Sequence, residues 1–186
     1  MHLGLTDLID TRLELLTEES RAYYENRAAG RGPNSLRELR AVRAGMPDPS
    51  PASPAAVEEL VAANGRGVPL RFHTPGDAAV TGVFLEIHGG GFYMGSAAAS
   101  DLRNRRLADA LGVAVASVDY RLAPEHPWPA APDDCETAAL WLAEQAEYRF
   151  GTAKLAIGGA SSGATLAMTT LLRLRDRGVA AFDCAV

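Results

Sequence analysis

The sequence is short of the residues that build covalent or metallic scaffolds. Its 186 residues include two cysteines, Cys135 and Cys184. They lie far apart with no CxxC spacing and no histidine-rich neighbourhood, so neither a disulfide framework nor a zinc site is indicated, and two buried free thiols are expected. Lysine occurs once, at Lys154, away from any glycine run. No GxGxxG or GxxxxGK motif is present, which removes the usual phosphate cradles. Basic clusters are also lacking: the net charge is −5 and the arginines are scattered, so nucleic acid is not an expected partner. No apolar run approaches the roughly 20 residues of a membrane span. Met1 to Asp10 has neither the basic start nor the apolar core of a signal peptide, and a cytoplasmic location is expected. Histidine is the last shortage: His2, His73, His88 and His126 are all of it.

What is present is a globular composition, with 47% hydrophobic residues to fill a sizeable core. Leu5, Leu8, Ile9, Leu13 and Leu16 recur at helical spacing, and Ser35 with Glu38 forms a candidate capping box ahead of Leu36, Leu39 and Val42. The proline-rich stretch from Pro47 to Pro54 cannot continue a helix and reads as a linker. Residues 1–54 are therefore expected to form a helical segment with its linker, and residues 55–186 a second domain.

Beyond the linker, apolar strand-like runs alternate with amphipathic stretches. Strands are predicted at Val68–Phe72, Val83–Ile87, Val113–Val118 and Leu155–Ile157, with one more starting in the tail Ala181–Val186. Helices are predicted from Ser100 to Gly112, from Pro132 through Trp141 and Leu142, and from Ser162 to Gly178. That alternation implies an α/β fold with a mostly parallel central sheet flanked by helices.

Two glycine-bearing segments carry chemistry. Gly159-Ala160-Ser161-Ser162-Gly163 reads GxSxG. Such a pattern arises by chance in roughly one chain in ten of this composition, so its setting decides its value. It follows a predicted strand and opens a predicted helix, as a nucleophile elbow requires: a tight turn needs flanking residues without side chains to hold its serine in a strained conformation. The helix start would also turn its free N–H groups toward charge developing on a substrate oxygen. The plainer alternative is a glycine-rich turn opening a helix. His88-Gly89-Gly90-Gly91-Phe92 ends the strand Val83–Ile87, and three consecutive glycines let backbone N–H groups approach a ligand closely, as an oxyanion hole demands. A loop with no chemical role is the competing reading.

Taken with Asp119 to Glu125, which reads DYRLAPE, these segments stand in the order found in the hormone-sensitive-lipase-like carboxylesterases of the α/β-hydrolase fold, and the sequence resembles that family along nearly its whole length. The resemblance implies Ser161 as nucleophile, with the N–H groups of Gly90, Gly91 and Ser162 as oxyanion donors, each worth about 3 kcal/mol of transition-state stabilisation. It implies that His88 and Gly89 shape the supporting loop, that Asp119, Arg121 and Glu125 form buried ion pairs beneath the site, and that the N-terminal helices act as a cap. Phe92, Tyr93 and Met94 are candidates for the pocket wall. A small ester is the implied substrate, with no cofactor and no metal. The elbow departs from the family pattern at three positions: Ala160 stands in place of aspartate, Ser162 of alanine and Ala164 of glycine.

In α/β-hydrolases the acid and the histidine of the triad follow the serine in the chain. After Ser161 only Asp176 and Asp183 are acidic, and no histidine follows. The expectation is a chain truncated before its C-terminal strands, catalytically incomplete, whose sheet ends in an exposed edge open to homo-oligomer formation. A receptor-like member of the same fold that binds its ligand without turnover, or an inactive fragment, are the alternatives.

Overall fold

Asn64 and Gly65 turn the first hairpin. Both have positive φ, 53° and 74°, as a two-residue hairpin loop favours. They join β1 (Val57–Ala63) to β2 (Arg66–His73) in antiparallel register, with Ala63 opposite Arg66. The apolar runs of the sequence do not predict β1, because its pattern is mixed: Glu58 and Glu59 stand early in the strand, and only Val61 and Ala63 are buried. The Asn-Gly pair between two strand-length segments is the signal that reveals it.

The computed structural model describes residues 12–25, 32–76 and 79–186. Six strands form one sheet in the order β1-β2-β4-β3-β5-β6, where β3 is Val83–Ile87, β4 Ala114–Val118, β5 Leu155–Gly159 and β6 Cys184–Ala185. The pairs β1/β2 and β2/β4 are antiparallel, whereas β4/β3, β3/β5 and β5/β6 are parallel. The sheet is thus mixed, with a parallel centre and one antiparallel flank. Every residue of β4 is buried. Burial on both faces is why that strand reads as a continuous apolar run rather than an alternation.

Each parallel step needs a crossover helix. Helix α3 (Asp101–Leu111) lies between β3 and β4, α4 (Ala130–Phe150) between β4 and β5, and α5 (Ser162–Asp176) between β5 and β6. Gly112 closes α3 at φ 66°, a left-handed cap that glycine adopts without penalty. Helix α4 starts two residues before the expected Pro132, which still falls in the first turn, where its missing N–H leaves no bond unmade.

The chain divides into two compact units, one up to Gly45 and one from Met46 to Val186. The first contains α1 (Arg12–Glu25) and α2 (Leu36–Ala44); Leu5, Leu8 and Ile9 lie outside the described residues. Ser35 caps α2, its Oγ accepting the Glu38 N–H at 3.2 Å. Glu38 reaches back one residue further than a reciprocal capping box does, accepting the Asn34 N–H at 2.9 Å. In the second unit Val68, Leu70, Leu85, Ile87, Leu142 and Ile157 form the centre of the core. Each such side chain contributes about 1.5–3 kcal/mol of burial free energy. Cys135 is buried there, and burial pushes its thiol up. Cys184 is exposed, which corrects the expectation of two buried thiols: it sits on the two-residue edge strand β6. Among the described residues no helix is long and apolar enough to cross a membrane.

The register positions the site. Ile87, the last residue of β3, pairs with Gly159, the last of β5. The segments beginning at His88 and Ala160 therefore leave the sheet side by side at its carboxyl edge, the usual place for ligand sites in such sheets.

Candidate active site

Ser161 occupies the turn between β5 and α5 with φ 56° and ψ −121°. For a residue with a side chain this region is strained, at a cost of about 1–3 kcal/mol. Its neighbours explain how the strain is held. A methyl group on Gly159 or Gly163 would collide with the Ile87 carbonyl oxygen, and one on Gly163 would also come within 2.8 Å of the His88 carbonyl. Both glycines are required by the close approach of β3 rather than by positive φ. Gly163 N–H donates to the Ala160 carbonyl at 2.9 Å and Thr165 N–H to that of Ser161 at 3.2 Å, closing the first turn of α5. Ser161 itself is exposed, while Ser162 is buried.

The loop after β3 lies against this turn. A methyl on Gly89 would sit 2.8 Å from the Ala160 carbonyl oxygen and 3.6 Å from Ser161 Cβ. Gly90 and Gly91 both have positive φ, 132° and 63°. The Gly90 carbonyl accepts the N–H groups of Tyr93 (3.2 Å) and Met94 (2.8 Å), folding the loop back on itself. Among the described residues no hydrogen bond uses the N–H of Gly90, Gly91 or Ser162. Gly95 is a requirement that motif reading misses: at φ 88°, a methyl there would meet the Gly89 carbonyl at 2.6 Å and His88 Nδ1 at 2.9 Å.

His88 is buried, its Nδ1 2.8 Å from the Gly89 carbonyl. A carbonyl only accepts, so Nδ1 carries the proton. His88 Nε2 is buried and unpartnered. The ring stacks on Tyr120 with centroids 4.2 Å apart and planes 12° from parallel. Tyr120 Oη donates to the His88 carbonyl at 2.9 Å. Burial pushes the Tyr120 phenol up to about 12, and the Ser162 hydroxyl beside it opposes that rise. Ser162 Oγ is nonetheless buried without a well-formed hydrogen bond. Tyr120 lies inside DYRLAPE, yet only its charged neighbours stand out in the sequence.

Those neighbours are less buried than expected. Arg121 is exposed and holds the buried Asp134 of α4 with Nη2 at 2.8 Å, Nε at 2.9 Å and its own backbone N–H at 2.9 Å. Asp119 accepts the Ala97 N–H at 2.9 Å, and Glu125 is exposed. The expectation of buried charges is thus corrected: Arg121, Asp119 and Glu125 are all exposed, and the buried member of the Arg121 pair is Asp134. Charges at the other two positions stay near water because DYRLAPE leaves the sheet as a surface loop.

A cleft of about 240 Å³ adjoins this region, lined by Phe92, His126, Trp128, Pro132, Thr165 and Leu166 among others. Phe92 reaches it as anticipated; Tyr93 and Met94 do not line it. Among the described residues no histidine is hydrogen-bonded to Ser161. His73 bonds Asp101 at 3.2 Å from the far end of β2, and His126 stands on the cleft wall.

Residues 84–186 match the family model described as the alpha/beta hydrolase fold. The chain is 43% identical over 103 residues to the esterase LipI of Mycobacterium tuberculosis, covering 55% of this chain and 32% of that protein. It is 40% identical over 112 residues to an ethyl acetate hydrolase of Pseudomonas putida, covering 58% and 35% respectively. A solved esterase structure from Pyrobaculum calidifontis superposes with a TM-score of 0.65 at 37% identity, over 70% of this chain and 43% of that one. The chain spans about a third of the length of these curated relatives. With the family match extending from β3 through the glycine loop and the Ser161 turn to Val186, and with esterases among its relatives, the chain belongs to the α/β-hydrolase-fold family.

Proposed function

We propose that this chain carries the nucleophile and oxyanion-binding half of a serine hydrolase acting on small carboxylic esters. The carrying observation is the strained, exposed Ser161 with the Gly89–Gly91 loop resting against it. Ser161 Oγ attacks the ester carbonyl carbon, and the oxygen that becomes negative is met by the N–H groups of Gly90, Gly91 and Ser162. A base takes the Ser161 Oγ proton as the bond to carbon forms and returns it to the leaving oxygen as the ester C–O bond breaks, so that the alcohol departs and an acyl-serine remains, which water then hydrolyses. His88 and Gly89 form the loop's support. The apolar cleft beside Phe92 and Leu166 would take the hydrocarbon part of the ester.

Among the described residues no histidine is hydrogen-bonded to Ser161 to take its proton, and a serine hydroxyl without a base is a weak nucleophile. An added base therefore tests the reading. With imidazole present, release of p-nitrophenol from a short-chain ester should exceed that of Ser161→Ala at the same imidazole concentration. No Ser161-dependent increment would sink it. A second reading is a ligand binder on this fold, with the apolar cleft beside Phe92 and Leu166 holding the ligand without turnover. That reading predicts no increment, while a non-hydrolysable ester analogue still binds the cleft.

A further inference from the structure

Three elements meet at the carbonyl group of His88. The end of β3 supplies it, the first turn of α5 approaches it closely at Gly163, and Tyr120, two residues beyond β4, donates its phenol hydrogen to it at 2.9 Å. The same tyrosine ring lies flat on the His88 imidazole at 4.2 Å. It therefore grips His88 by both backbone and side chain, at the point where the chain leaves the sheet for Gly89, Gly90 and Gly91. Ser162, the residue after the nucleophile, buries its hydroxyl beside the same phenol with no well-formed partner of its own. A single phenolic oxygen thus stands between the loop and the elbow.

We propose that Tyr120 is a positioning residue for the site: its hydroxyl, flanked by that of Ser162, clamps the His88 carbonyl so that the N–H groups of Gly90 and Gly91 share one focus with that of Ser162. The proposal rests on the ester-hydrolase reading for the purpose of the clamp, though not for its existence. Donors act on a developing oxyanion only when aimed at one point, and misplacement by about 1 Å costs on the order of a hundredfold in rate. Tyr120→Phe keeps the stacking ring and removes the hydroxyl, leaving the His88 carbonyl buried and unpaired. Ser162→Ala removes the second hydroxyl and keeps the backbone N–H.

The test is backbone amide NMR on the 15N-labelled chain for wild type and both variants. In Tyr120→Phe the Gly90 and Gly91 amide signals should shift from their wild-type positions, while those of Val83, Leu85 and Val115 keep wild-type values. Unmoved Gly90 and Gly91 signals in a folded Tyr120→Phe chain overturn the proposal. Should that variant not fold, Ser162→Ala decides: displaced Gly90 and Gly91 signals support the clamp, and unchanged ones overturn it. Where imidazole-dependent turnover is present, Tyr120→Phe should lower kcat about tenfold to a hundredfold with KM within twofold; an unchanged kcat also overturns it. If wild type shows no Ser161-dependent turnover, the hydrolase reading fails and the amide signals alone judge Tyr120.

Discussion

The Cα of Gly163 lies so close to the carbonyl oxygen of Ile87 that no side chain fits between them. The end of β3 and the start of α5 are therefore in direct backbone contact, and the turn bearing Ser161 is set by that contact. Gly163→Ala should lower the denaturation midpoint with an unchanged m-value, a loss of about 1–3 kcal/mol or more. Gly76→Ala is the control, because nothing lies within 4 Å of the added carbon. Equal midpoints for the two variants would contradict the contact.

Ser161 should itself be a reservoir of strain. At φ 56° a side chain costs free energy that glycine avoids. Ser161→Gly is expected to be more stable than Ser161→Ala by about 1 kcal/mol, measured by urea unfolding. A more stable alanine variant would argue that the turn is relaxed.

The pair Arg121–Asp134 is lopsided, with Asp134 buried and Arg121 partly in water. Removing the arginine side chain leaves the buried carboxylate with the Arg121 backbone N–H. Arg121→Ala should cost about 1–3 kcal/mol, below the range for a fully buried pair because the exposed arginine leaves water in its place. The double variant Arg121→Ala, Asp134→Asn should recover part of that loss, and a double-mutant cycle measures it.

Acid should weaken the fold through Asp101. Burial alone would raise its pKa, but Arg71, with Nε at 2.9 Å, and His73, at 3.2 Å, more than offset that and hold the carboxyl below its ordinary value. Asp133 is held low in the same sense, against burial, by Arg173 and Arg66. Carboxyls with a depressed folded pKa stabilise the fold above the unfolded value of about 3.9, and that contribution is lost as the pH falls through the folded value. Unfolding free energy should thus be flat near neutrality and decline below about pH 4. Asp101→Asn should be less stable than wild type at pH 6 and show a shallower decline. An identical acid slope would remove Asp101 from the account.

Motifs were legible where chemistry is local. Gly159 to Gly163 reads as an elbow because the strand, the turn and the helix start are consecutive, and Gly112 reads as a helix end because a single residue adopts the left-handed cap. Strand β1 was not legible: its Glu58 and Glu59 break the apolar run, and pairing across the Asn64-Gly65 turn stabilises it. Tyr120 and Gly95 are not legible along the chain for a similar reason. Neither has a pattern along the chain that announces contact with His88, although both touch it.

The sequence by itself determined the α/β alternation, the place of Ser161 and the shortage of histidine behind it, since periodicity, glycine spacing and composition are properties of neighbours in the chain. Tertiary structure alone decided that Ile87 ends beside Gly159, that Gly89 rests on Ala160 and that Tyr120 holds the His88 carbonyl. Those relations join residues about 30 to 70 positions apart, and register and close packing, which leave no periodic trace along the chain, are what bring them together.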